Sequence, residues 1–238
     1  ATILTRGLTS GDTIDADHAD SVTPFFGLRL DLTKDVLGAV GMETIRMRRA
    51  KMRSILTKED FETVYRLLDV PPLETDCGEL CGRICCQEYE PGVGMYLLPG
   101  EEVMFTGREP WLRWEYKRAK HHGFPPEWKG LVRFAMCQGT CPREHRPIQC
   151  RTFPLIPYLD SSGRLEIKLD SLSGCLICPL VREPERHVLR REFVENALQA
   201  WSILIKDPLI RAYVAHESRE LDEDARAPWR KLLEGRRC

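Results

Sequence analysis

Cys77-Gly-Glu-Leu-Cys81-Gly-Arg-Ile-Cys85-Cys86 is the stretch on which the reading of this chain turns. Two further groups follow it: Cys137-Gln-Gly-Thr-Cys141-Pro142 with Arg146-Pro147-Ile-Gln-Cys150-Arg151, and Cys175-Leu-Ile-Cys178-Pro179. Nine of the ten cysteines therefore fall between residues 77 and 178, and Cys238 stands apart. A thiolate is a soft anionic ligand that suits zinc and iron–sulfur clusters, and either centre usually takes four of them. Short glycine-bearing loops let the backbone wrap so that nearby sulfurs converge, and distant groups close the shell. On this pattern the candidate metal ligands are Cys77, Cys81, Cys85, Cys86, Cys137, Cys141, Cys150, Cys175 and Cys178.

The spacing leaves the number of centres open. In a helix, Cys77, Cys81 and Cys85 would share one face at i, i+4 and i+8, and Cys86 would point about 100° away. In an extended chain Cys85 and Cys86 would face opposite sides. Adjacent cysteines seldom serve one ion well, so either one of the pair is not a ligand or two centres exist. Nine thiols allow two four-ligand sites with one left over. A tetrathiolate centre carries net negative charge. Arg83, Arg143, Arg146 and Arg151 are interleaved with the cysteines. Of these, Arg83, Arg146 and Arg151 are the candidate cofactor-binding cations, with plain solvation as the alternative.

Three stretches together carry a family likeness: Cys77-x3-Cys81-x3-Cys85-Cys86, then Tyr96-Leu97-Leu98-Pro99-Gly100-Glu101, then Cys141 to Arg146-Pro147-x2-Cys150-Arg151-Thr152-Phe153-Pro154. In these the chain resembles the YkgJ-type cysteine-cluster family of zinc- or iron-chelating proteins, over about residues 73–180. The resemblance implies a metal site built from about eight cysteines. The matching positions are Cys77, Cys81, Cys85, Cys86, Cys141 and Cys150. A related motif in flagellin lysine methylases implies an alternative, an iron–sulfur oxidoreductase or a protein-modifying enzyme. The first group departs from the family's commoner two-residue spacings.

The rest of the chain bounds the answer. It has 238 residues, 42% hydrophobic and 30% charged, which is ordinary globular composition. A net charge of −1 argues against a nucleic-acid partner, and the lack of an apolar run near ~18–20 residues argues against a membrane span. Residues 1–10 show no basic head followed by an apolar core. The one asparagine, Asn196, precedes Ala197 and Leu198, so no glycosylation signal is present. A reducing cytoplasm is expected, where clustered thiols read as ligands rather than disulfides. A protein or peptide partner is compatible with this reading.

The expected fold is α+β and mostly helical, with an irregular cysteine-rich metal-binding core and a helical C-terminal part. Residues 1–72 form an N-terminal segment, 73–180 the cysteine-cluster region and 181–238 the C-terminal helices, packed as one unit. Phe25–Leu32 alternates like a strand. Thr57 followed by Glu59 and Asp60 signals a helix start, with Phe61, Val64, Leu67 and Leu68 at helical spacing. Pro110, Trp111, Trp114 and Arg118 predict an amphipathic, core-facing helix over 110–121. Residues 123–157 give few regular signals. A strand is expected at 163–169, and helices at 188–205, 208–217 and 220–233 with an interruption at Pro228.

Weaker candidates remain. The radical S-adenosylmethionine pattern needs cysteines spaced by three and then two residues, against three and three here. Cys175-x-x-Cys178 also fits a thioredoxin-like redox pair, although metal ligation suits it better. His145, inside the second cysteine group, is the histidine best placed for a mixed ligand set. His121 and His122 read as cations at a helix end. The acids around His18 read as a solvated arm.

Overall fold

A computed structural model describes residues 52–86, 92–139, 141–170 and 178–226, with the side chain of Cys86 outside that set. The expected strand at 25–32, the acids around His18, Cys175, Pro228 and Cys238 lie outside the described residues.

Helix α1 (Lys58–Leu67) starts where the sequence signals it. Asp60 N–H donates to Thr57 Oγ1 at 3.2 Å and Thr57 N–H donates to the Asp60 carboxylate at 2.8 Å, a reciprocal capping box. Its buried face is Phe61, Val64 and Tyr65. A single helical turn, α2 (Gly78–Cys81), follows and ends at Gly82, whose φ of 62° reverses the chain. Strands β1 (Gly94–Tyr96), β2 (Leu112–Arg118) and β3 (Leu131–Cys137) form an antiparallel sheet in the order β1-β3-β2. A short helix α3 (Ile148–Thr152) leads into a hairpin of β4 (Leu155–Leu159) and β5 (Leu165–Leu169). The chain then runs through the turn α4 (Pro179–Arg182) to helices α5 (Arg191–Leu204) and α6 (Pro208–Arg226).

Helix α5 buries Phe193, Ala197, Ala200, Trp201 and Leu204 between α1 and the β4–β5 hairpin. Helix α6 lies along β4, where Leu159 N–H donates to Ser218 Oγ at 2.9 Å. Asp207 caps α6 by accepting from Leu209 N–H at 2.8 Å and Ile210 N–H at 3.1 Å. Its other oxygen accepts from Ser54 Oγ at 2.6 Å and Ile55 N–H at 2.7 Å, which fastens the chain ahead of α1 to the start of α6. Among the described residues no helix is long and apolar enough to cross a membrane.

Several sequence expectations need correction. The fold is mixed α+β, but it is not mostly helical around a cysteine-rich core. Its largest buried side chains are Trp201, Phe61, Phe134 and Phe193, while Cys77, Cys81, Cys85, Cys137 and Cys150 are partly exposed. Collapse is driven by apolar area, and thiols contribute less of it than aromatic rings. The helix expected over 110–121 is strand β2. Glu115 pairs with both Arg113 and Lys117, each at 2.8 Å. Residues two apart share a face in a strand and do not in a helix. Residues 131–137, expected to be irregular, form the central strand. Helix α6 is continuous through Ser218 and Arg219, where a break was expected, because neither residue disrupts a helix. Strand β5, by contrast, lies within its predicted span.

Candidate metal centre

Local structure sorts the cysteines differently from their order in sequence. The turn at Gly82, continued by Arg83 at φ 63°, separates Cys81 from Cys85, so the first group is not one helical face. Cys85 lies in a single 3-10 turn (Ile84–Cys86) beyond that reversal. Cys137 ends β3, its N–H donating to Val93 O at 2.8 Å opposite Leu112 of β2. Cys141 is buried in the loop after β3, and Cys150 sits in α3. Cys85, Cys137, Cys141 and Cys150 line one small cavity of about 20 Å³ whose wall also includes Trp111 and Arg146. Three stretches of chain, the 84–86 turn, the end of β3 with its loop, and α3, thus bring four thiols to one space at the end of the sheet.

A second set lies on the other side of the reversal. Cys178, the N-cap of α4, packs with Leu180 and Val181 against Cys77, Leu73 and Phe153. Burial pushes the Cys178 thiol up, and the nearby Cys81 thiol adds to the rise. Cys77, Cys81 and Cys178 are therefore neighbours, and Cys175 and the Cys86 side chain lie outside the described residues. Among the described residues no two cysteines are joined in a disulfide.

The donor set fits a tetrathiolate centre in type and number, on one cavity wall. Among the described residues, no three thiols have their sulfurs all within 4.8 Å of one another. A zinc ion at ~2.3 Å from four sulfurs would draw them to about 3.8 Å apart. A cluster holds its thiolates wider because each binds a different iron.

The arginines divide by role. Arg151 is buried, 2% exposed, and spends its donors on backbone oxygens: Nε to Arg146 O at 3.0 Å, Nη1 to Tyr65 O at 3.2 Å and Nη2 to Glu144 O. Its guanidinium lies 4.5 Å over the Tyr65 ring. Arg146 borders the cysteine cavity and donates from Nε and Nη2 to Cys141 O. Arg83 forms an ion pair with Asp76. Arg143 donates to Val70 O at 2.7 Å, and its buried Nε has no hydrogen-bond partner. Burial, with Arg146 and Arg151 close by, lowers the Arg143 guanidinium below its usual range.

Two features escaped the sequence reading. Glu101 is fully buried and accepts from Ile148 N–H at 2.7 Å, Leu98 N–H at 2.9 Å and Tyr65 Oη–H at 2.9 Å. Burial pushes its carboxyl up to about 7, opposed by those three donors. It ties α1, the exit of β1 and the start of α3 together beside the cysteine loop. Gly100, at φ 89°, makes the turn that carries Glu101 inward, and a Cβ there would meet Ser54 Cβ at 2.6 Å. The second feature is His216, Glu217 and Glu220 of α6, whose ligand atoms all lie within 4.8 Å of one another. A histidine four residues before a glutamate on a helix is the signal that finds it. Its Nε2 lies 3.0 Å from Gly123 O and 3.1 Å from Glu220 Oε1, so that nitrogen holds a proton, and the hydrogen bond to Glu220 raises the imidazole above its usual range. His145 is exposed and stacks on Trp111 with ring centres 6.3 Å apart. His121 and His122 follow strand β2 in a 3-10 turn rather than ending a helix.

No family model, curated protein or solved structure matches this chain.

Proposed function

We propose that this is a metal-binding protein that holds an inorganic centre, zinc or iron–sulfur, on the thiolates of Cys85, Cys137, Cys141 and Cys150. The observation that supports it is their meeting around one cavity from three separate stretches of the chain. Nothing in apolar packing requires four thiols there, whereas a metal gains a closed shell. Both centres take four thiolates, so the reading covers either. Cys77, Cys81 and Cys178 make a second centre the natural extension. The YkgJ-type resemblance agrees with this reading, as does a cytoplasmic setting in which thiols stay reduced. An oxidoreductase or protein-modifying role is the alternative if the centre is iron–sulfur.

The test is anaerobic purification with metal analysis and an absorption spectrum, on the parent chain and on Cys137→Ser and Cys150→Ser. The reading predicts stoichiometric metal in the parent, and less metal with a lower melting temperature in both variants, because binding energy at such a site is folding energy. Full metal and unchanged melting in both variants would sink it. A brown protein whose visible absorption fades in air identifies the cluster, and a colourless one with zinc identifies the ion.

A further inference from the structure

Away from the cysteines, helix α6 carries a second group of ligating side chains. His216 and Glu220 stand four residues apart and share one face of the helix, and Glu217, three residues before Glu220, is its neighbour on the adjoining row. The ligand atoms of all three lie within 4.8 Å of one another. Glu217 is 8% exposed, and the side chains of His216 and Glu220 are 21% and 33% exposed, so water reaches the group. A fourth donor comes from a distant part of the chain. The carbonyl oxygen of Gly123, beyond β2, stands 3.0 Å from His216 Nε2, and Glu220 Oε1 stands 3.1 Å from the same nitrogen. Ligands about 2.1 Å from an octahedral ion are about 3.0 Å from one another. Two edges of a coordination shell are thus at the right length, with Glu217 close enough to be drawn in as the next ligand. An ion pair would use one carboxylate and no carbonyl, whereas here an imidazole, two carboxylates and a carbonyl converge.

We infer that His216 Nε2, the carboxylates of Glu217 and Glu220 and the Gly123 carbonyl bind a divalent cation of the manganese class, with water in the remaining positions. Carboxylate, carbonyl and water oxygens suit magnesium, calcium and manganese, and the imidazole shifts the choice to the first-row ion. The cation takes the place of the proton on Nε2, which passes to solvent as the ion enters. Bound there, it ties the turn after β2 to α6. Thiolates select zinc or iron–sulfur centres, so this site and the cysteine cavity take different metals.

Titration of the full, anaerobically purified chain with Mn(II), followed by the electron paramagnetic resonance signal of the free aquo ion, tests it. One bound equivalent is expected at sub-millimolar concentration, in the parent and in Cys150→Ser alike, which separates this site from the thiolate centre. His216→Ala and Glu220→Gln are each expected to weaken binding about tenfold or more. Both side chains are partly exposed, so these variants should fold, and thermal melts give a second readout. Mn(II) should raise the melting temperature of the parent, by mass action, and leave that of either variant where it was. The inference is overturned if no Mn(II) binds at millimolar concentration, if either helix variant binds like the parent, or if Cys150→Ser, still folded by circular dichroism, loses the ion.

Discussion

Arg146 donates from both Nε and Nη2 to the backbone carbonyl of Cys141, each at 3.4 Å. Arg151 in turn donates to the carbonyl of Arg146 at 3.0 Å. The Arg146-Pro147-x2-Cys150-Arg151 stretch therefore folds back on the loop carrying Cys141, and two arginines brace the backbone that carries one thiol of the cavity. The role is positioning, exerted through the backbone.

Arg146→Ala removes that brace. Metal is expected to be lost to a chelator several-fold faster than from the parent, with stability falling by about 1–2 kcal/mol. Timed chelator competition followed by thermal melts reads both effects. An unchanged loss rate would show that Cys141 needs no brace.

Glu101 sets a pH dependence. Its carboxyl titrates at about 7 in the folded chain against 4.5 when unperturbed, so the folded state holds a proton that the unfolded state releases between those values. The group's contribution therefore falls as pH rises from 4.5 to 7, by about 3 kcal/mol in all. Glu101→Gln cannot titrate, and its stability should change less across that window than the parent's. Urea melts at pH 4.5, 6 and 7.5 read the difference, and equal pH slopes in parent and variant would contradict the assignment.

Asp207 joins distant parts of the chain by accepting from Ser54, Ile55, Leu209 and Ile210. Asp207→Ala removes a helix cap and leaves buried N–H groups without acceptors, at an expected cost of about 2–4 kcal/mol. Asp207→Asn keeps one capping oxygen and should cost less. Amide hydrogen exchange at Ile55 should accelerate in the alanine variant, and unchanged exchange there would argue against the link.

What could be read in the sequence was local. The Thr57–Asp60 box announces α1 because both partners lie within one turn. The Ser161-Ser162-Gly163 turn announces β5 for the same reason. The Trp111, Trp114 and Arg118 spacing misled because a seven-residue window fits a helical stripe as well as a strand, and the deciding partner, β3, lies outside it. The grouping of the cysteines was legible, and four of them, Cys85, Cys137, Cys141 and Cys150, share one cavity. Their sorting was not, since the Gly82–Arg83 reversal that parts Cys81 from Cys85 is a matter of two backbone angles. Glu101 was invisible as a buried link because its three donors come from Tyr65, Leu98 and Ile148, up to 47 residues away.

X-ray absorption at the metal edge of the anaerobically purified protein bears most directly on the thiolate centre. Four sulfur neighbours per metal at about 2.3 Å are expected, falling below four in Cys150→Ser. A first shell of nitrogen and oxygen, or a protein folded with no bound metal at all, would contradict the account.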